Sequence, residues 1–197
     1  MTAPLVVVPM WAERVALGRR LPGAVHVGWG PRRWARSAAT VRSALDRGDH
    51  CGLMIVGVCG ALTDELGPGD LVVAAEVRGP AGVLACAPHG RLVEALRRTG
   101  RAVHDGPICT VDHLVDGAER AALAGTGALA VDMESAALAA AAGDRPVLVV
   151  RAVSDTPSRP LRSAWVVHSG LSALRSLRVA APVLAAAVVH HSEREVG

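Results

Sequence analysis

At 197 residues, with a formal net charge of +3 and 51% hydrophobic residues, the chain is long and apolar enough for one domain with a substantial core, which excludes a disordered chain. It has four Trp, no Phe and no Tyr, too few aromatic faces for a stacking platform on single-stranded nucleic acid. Arg is spread along the sequence, so no nucleic-acid partner is expected.

Leu5–Val8 is a wholly apolar run rich in β-branched residues, expected as a buried strand. Trp11–Arg20 reads as a helix and Ala24–Val27 as a second strand. Gly28-Trp29-Gly30-Pro31 is a turn, and Pro31 suits the first position of a helix running to Arg47. Leu53–Val58 is a strand that enters the small-residue loop Gly57–Leu62. Gly67–Asp70 is a tight turn before the strand Leu71–Val77. Arg91–Arg98 reads as a helix, Ala102–Thr110 as a strand and Ala118–Leu123 as a weaker helical segment. The strand Ala128–Val131 leads to the helix Glu134–Ala142, which Gly143–Pro146 stops. Val147–Val153 is the last clear strand. Thr156–Ser169, with two Pro and several polar residues, is expected as a loop beside a cleft. Leu171–Val189 is a C-terminal helix, expected to kink or divide at Pro182. The alternation of strands and helices argues for a single α/β domain over residues 1–197, with no repeat and no linker.

Cys51, Cys59, Cys86 and Cys109 form no C-x-x-C pair and lie near apolar runs, which reads as reduced thiols in a cytoplasmic protein. The N-terminus has no basic leader and only a short apolar run, and no eighteen consecutive residues are apolar, so neither a signal peptide nor a transmembrane helix is expected. The eight His form no ligand-spaced cluster with Cys or Asp, and no metal and no cofactor are implied.

Two segments carry chemistry: Val131-Asp132-Met133-Glu134-Ser135, and Val150-Arg151-Ala152-Val153-Ser154-Asp155. The first opens a helix; the second ends a strand, where α/β proteins place ligand-binding groups. Together they resemble the nucleoside phosphorylase and nucleosidase family, which cuts the N-glycosidic bond of purine nucleosides. The resemblance runs from about Leu5 to Asp155. It implies a three-layer sandwich around a mixed, twisted central sheet, a small-molecule nucleoside substrate and a homo-oligomer.

Cutting that bond leaves a cationic sugar and an anionic base. It calls for an acid at the base, a carboxylate on the ribose hydroxyls, and either a water activator or a phosphate site. The resemblance gives the first task to Asp155, preceded by Ser154 in an R-x-x-S-D segment; on the sequence alone Asp155 is equally a turn or helix cap. Asp rather than Asn at this position implies adenine. A carboxylate at Glu134 can take two hydrogen bonds from a vicinal diol, with Met133 packed on the ribose; the plainer reading is an acidic residue, with Asp132, at a helix N-terminus. Glu13, in Met10-Trp11-Ala12-Glu13, matches the water-activating Glu of the nucleosidases, or is a solvated helix residue. Phosphate as co-substrate is the other option: Gly30, Arg32 and Arg33 offer a helix N-terminus and two guanidinium groups. Many phosphorylases carry Arg and Ser where this chain has Ile55 and Val58, and neither side chain can bind an anion. His113 stands nearest the base-stacking position, with Leu114 beside it.

Within the family, the G-x-G-P-R and V-D-M-E-S segments look most like the hopanoid-associated phosphorylases. That group implies cleavage of adenosylhopane to release adenine, hence a lipid-linked substrate. Two further readings stand beside it. One is a small nucleosidase hydrolysing methylthioadenosine, S-adenosylhomocysteine or futalosine. The other is a nucleoside-binding protein without catalysis on the same fold.

Overall fold

The structure is a computed structural model that describes residues 3–48, 50–160 and 166–191, with side chains of the last helix described over 170–188. Eight strands form one sheet: β1 (Leu5–Val8), β2 (Val25–His26), β3 (Leu53–Ala61), β4 (Leu71–Gly79), β5 (Gly82–Ala85), β6 (Val103–Thr110), β7 (Ala130–Asp132) and β8 (Val147–Asp155). The helices are α1 (Trp11–Leu17), α2 (Trp34–Arg47), α3 (Gly90–Arg97), α4 (Gly117–Ala124), α5 (Ser135–Ala140) and α6 (Val166–His191).

The strand order is β2-β1-β3-β7-β6-β4-β5, with β8 paired to both β3 and β4. The pairs β1–β3, β3–β8, β4–β6 and β6–β7 are parallel, while β3–β7, β4–β8 and β4–β5 are antiparallel. The sheet is therefore mixed. It also curls far enough that β3, β8, β4, β6 and β7 close a ring, as the right-handed twist of a large sheet permits.

Period-two alternation divides the strand side chains between two cores. Leu5, Val7, Leu53, Ile55, Val147 and Val149 join the cluster that packs under α2 and α5. Val6, Val8, Met54, Val56, Leu148 and Val150 join the cluster under α1, α3 and α6. Each fully buried Val, Leu or Ile contributes about 1.5–3 kcal/mol, so the two apolar faces together fix the layers. On α6 the stripe Ala173, Leu177, Ala180, Ala181 and Leu184 is wholly buried at helical spacing.

Several boundaries differ from expectation. The residues expected as the loop Gly57–Leu62 continue β3 through Ala61, because β8 and β7 both pair with them. Strand β5 was not anticipated. It forms a hairpin with β4 around Gly79–Gly82, and its exposed residues carry no apolar alternation. α1 ends at Leu17 and Gly18–Arg20 form a 3-10 turn. α6 begins at Val166, inside the segment expected as a loop, of which residues 161–165 lie outside the described residues. It also continues through Pro182 as one helix. The local cost of an interior proline, about 3 kcal/mol, is met by the flat packing of Ala180, Ala181 and Leu184 on the sheet. Gly170–Val188, with mean hydropathy 1.5, is long and apolar enough by composition to cross a membrane, but its buried stripe makes it a layer of the sandwich.

Candidate functional site

A cavity of about 430 Å³ opens where β1, β3 and β8 end, beside the loops that lead to α1, α2 and α5. This is within the range of small-molecule sites. Glu13, Met133, Glu134, Ser154, Asp155, His113 and Leu114 all line it. Seven of the ten residues singled out in the sequence thus converge on one cavity.

Glu13 occupies the third position of α1, and its Oε2 accepts the Met10 amide at 2.7 Å, as in a capping box. Its Oε1 accepts the Val58 amide at 2.8 Å. The side chain is 1% exposed, so it is not a solvated helix residue. Burial raises its pKa to about 7, against the pull of Arg151 and the two amides, with Glu134 adding to the rise. A carboxyl poised there can accept a proton from water at neutral pH.

Glu134 lies just before α5 rather than within it. Its Oε1 accepts the Gly30 amide at 3.0 Å. Burial raises its pKa, opposed by Arg151. Asp132 supplies the cap: its Oδ1 accepts the amides of Glu134 (3.3 Å) and Ser135 (3.2 Å) and the Thr110 hydroxyl (2.7 Å). The Met133 carbonyl accepts the Trp34 indole N–H, which ties the loop to α2.

Beneath these carboxylates lies Arg151, fully buried. It faces Asp132 Oδ2 at 2.9 Å and donates to the Ser135 hydroxyl at 2.7 Å through Nη2. Its Nη1 has no hydrogen-bond partner among the described residues. Gly57 stands directly across from Arg151 in the β3–β8 register. A Cβ there would collide with Arg151 Nη1 and come within 2.7 Å of Glu13 Oε1. The glycine thus leaves the space that the Arg151 guanidinium and the Glu13 carboxylate occupy. One Arg compensates three acids in a low-dielectric site, which is what lets Glu13 and Glu134 sit close together.

At the other cluster, β8 carries a bulge. Cys59 pairs with Val153 but Gly60 pairs with Asp155, leaving Ser154 as the extra residue. The bulge turns two consecutive side chains, Ser154 and Asp155, into the same cavity. The Ser154 hydroxyl reaches the Cys59 carbonyl at 3.0 Å and Asp155 Oδ1 at 2.8 Å; its one proton serves one of them at a time. Asp155 Oδ2 accepts from Arg120 of α4 in a buried ion pair. Gly60 repeats the device seen at Gly57, because a Cβ there would run into Arg120 and Asp155.

His113 and Leu114 line the cavity from the loop between β6 and α4, and both are exposed. His113 bridges Asp112 (2.7 Å) and Glu119 (2.9 Å), and these hydrogen bonds raise its pKa. The anion site expected at Gly30, Arg32 and Arg33 does not form. The Gly30 amide is taken by the carboxylate of Glu134, and Arg32 and Arg33 stand exposed outside the cavity, with Arg33 lying along Gly28. The Val58 amide likewise donates to a carboxylate, that of Glu13.

Sequence reasoning missed Arg120, which follows Asp116–Glu119 on a weak helical segment without any motif. It quoted Arg151 within R-x-x-S-D but gave it no task. Gly57 and Gly60, two glycines interrupting an apolar strand run, were the available signal of close approach by other groups.

Comparison with solved structures finds the same fold in 5′-methylthioadenosine/S-adenosylhomocysteine nucleosidases. The Helicobacter pylori protein, with butyl-thio-DADMe-Immucillin-A, superposes with a TM-score of 0.75 at 19% identity, over 97% of this chain and 99% of that one. The Neisseria meningitidis protein, in complex with methylthio-immucillin-A, gives 0.74 at 20% identity over 92% and 97%. The Campylobacter jejuni protein gives 0.75 at 17% identity over 94% and 100%. No curated protein matches the sequence. The family described as the Phosphorylase superfamily matches residues 25–188, a span holding both carboxylate segments, both guanidinium groups and the glycines opposite them. The chain belongs to the phosphorylase superfamily.

Proposed function

We propose that the chain hydrolyses the N-glycosidic bond of an adenine nucleoside carrying an apolar 5′ substituent, as in 5′-methylthioadenosine. The observation that carries this reading is Glu13, buried at the end of the cavity, held by the Met10 and Val58 amides, with a pKa raised to about 7. In this reading a water beside Glu13 attacks C1′ and gives its proton to the carboxylate. The electrons of the C1′–N9 bond pass to the base, Asp155 protonates N7, and neutral adenine leaves. Glu134 accepts from the ribose hydroxyls, and those bonds strengthen as the sugar becomes cationic. No phosphate enters the reaction.

The fold shared with methylthioadenosine/S-adenosylhomocysteine nucleosidases supports the hydrolytic reading over a hopanoid-specific one. The 5′ preference rests on the apolar side of the cavity, lined by Met10, Ala12, Trp29, Pro160 and Leu174, while His113 and Asp116 stand on the other side beside Leu114. An adenosylhopane would meet the same apolar side.

A panel of nucleosides tests the reading. 5′-Methylthioadenosine should release adenine with a kcat/KM about tenfold above adenosine, the gain of burying a small apolar group. S-Adenosylhomocysteine, with its charged tail, should fall below methylthioadenosine. Adenosine cleaved faster than methylthioadenosine would overturn the 5′ assignment. Tight binding of methylthioadenosine with no adenine release would replace the enzyme by a binding protein.

A further inference from the structure

A second cavity of about 320 Å³ adjoins the first. Asp116, Arg120 and Pro160 line both, so the two spaces meet beside the guanidinium that holds Asp155. Beyond that junction the lining among the described residues is Leu62, Gly117, Ala121 and Pro157, with no charged side chain. The walls of this slot are fixed. Leu62 is buried in a small core cluster with Val115, Ala128 and Val131. Pro157 lies within, and Pro160 follows, a turn closed by two backbone hydrogen bonds between Thr156 and Arg159, at 3.2 and 3.0 Å. Asp64 clamps the same turn, its Oδ1 accepting the Ser158 amide at 3.0 Å and the Ser158 hydroxyl at 2.8 Å. Gly117 opens α4 with a φ of +50°, a conformation that favours glycine, so no side chain narrows the slot there. The slot is thus pre-formed, as small-molecule sites usually are. Bond cleavage makes no use of it, because Glu13 and Glu134 line the first cavity alone.

Purine geometry says what the slot would face. In adenine, N7 and the amino group at C6 stand on one edge, and C2 stands on the opposite edge. With N7 at Asp155, the N6 group points along the same edge, toward Arg120 and the slot behind it. We propose that the slot is a subsite for an apolar substituent on N6, of prenyl or benzyl size, and that the chain takes N6-alkylated adenine nucleosides. This rests on the adenine-nucleoside reading of the main cavity. An N6 that is alkylated once keeps one N–H for a carboxylate at the junction, where Asp155 and Asp116 both stand. A charged substituent fits less well. The Arg120 charge is already met by Asp155, and Asp116 would repel a second acid.

Calorimetric titration of the full chain with free bases tests the proposal without any turnover. N6-Benzyladenine should bind at least about tenfold tighter than adenine, the gain of burying a small apolar group. 2-Phenyladenine, whose ring leaves from the opposite edge, should bind no tighter than adenine. Ala121→Phe places a ring in the slot from the exposed side of α4, and should bring the affinities for N6-benzyladenine and adenine together. The comparison of the three bases on the unaltered chain stands whether or not Ala121→Phe folds. Equal or weaker binding of N6-benzyladenine, an equal gain for 2-phenyladenine, or a gain that survives in folded Ala121→Phe would overturn the subsite and leave the adenine reading in place. Failure of adenine itself to bind would overturn both.

Discussion

Glu13→Gln lowers kcat for adenine release about 100- to 10,000-fold, the range expected when a general base is removed from a positioned water. The substitution keeps the size of the side chain and an oxygen for one of the two amides of Met10 and Val58 that now hold it. It removes only the capacity to take a proton. The pH dependence follows from the same group. Burial raises the Glu13 pKa to about 7, and the base works ionised, so kcat/KM should rise with pH through about 7 and then level off. In Glu13→Gln that limb should vanish along with the activity. Stability moves the other way. A carboxyl whose folded pKa lies above its unfolded value of 4.5 favours the folded state at low pH, and that advantage is lost as pH rises through about 7. At pH 8 the ionised, buried Glu13 therefore costs on the order of 3 kcal/mol. Urea melts at pH 8 should show Glu13→Gln more stable than the unaltered chain, with the gap closing toward pH 4.5. A flat pH–rate profile with unchanged activity in Glu13→Gln would remove Glu13 from the mechanism.

Asp155→Asn tests the other end of the cavity. The amide oxygen can still accept from Arg120, so the buried guanidinium keeps a partner and the fold should survive. The proton for N7 is lost, and kcat should fall about 100- to 10,000-fold with KM changed little. A nitrophenyl riboside, whose leaving group departs as an anion without protonation, should be cleaved by Asp155→Asn at nearly the rate of the unaltered chain, while Glu13→Gln should be slow on both substrates. Arg120→Met behaves differently, because it strands Asp155 without its cation; melting should show a loss of about 3–5 kcal/mol. Equal loss on the nucleoside and the nitrophenyl riboside in Asp155→Asn would mean that the side chain shapes the site rather than supplying a proton.

Much of the fold was legible because the strands are wholly apolar runs bounded by Gly, Pro and Asp. Leu5–Val8 and the bodies of β3, β4 and β8 stand where the sequence places them. What escaped was set by long-range pairing. The continuation of β3 through Ala61 depends on β7 and β8, and a small-residue run reads locally as a loop. The persistence of α6 through Pro182 depends on an alanine-rich face lying flat on the sheet. The site divides the same way. Glu13, Glu134 and Asp155 were visible through the resemblance of their segments to the family's motifs, each of which stands within a short run of sequence. Arg32 and Arg33 looked like an anion cradle because sequence adjacency to Gly30 says nothing of direction; the Gly30 amide points at Glu134 instead. Arg120 and Arg151 were unreadable as site residues because their partners, Asp155 and Asp132, are distant in the chain. The bulge at Ser154 and the glycines Gly57 and Gly60 make room for Arg120 in the cavity wall and for Arg151 beneath it.

The nucleophile decides the account, and one measurement reads it directly: the products formed from 5′-methylthioadenosine with and without inorganic phosphate, followed by adenine release and phosphorus NMR. Adenine should appear at the same rate in both, with free methylthioribose and no sugar 1-phosphate. Release that requires phosphate and yields one sugar 1-phosphate per adenine would contradict the account and return Glu13 to a structural role.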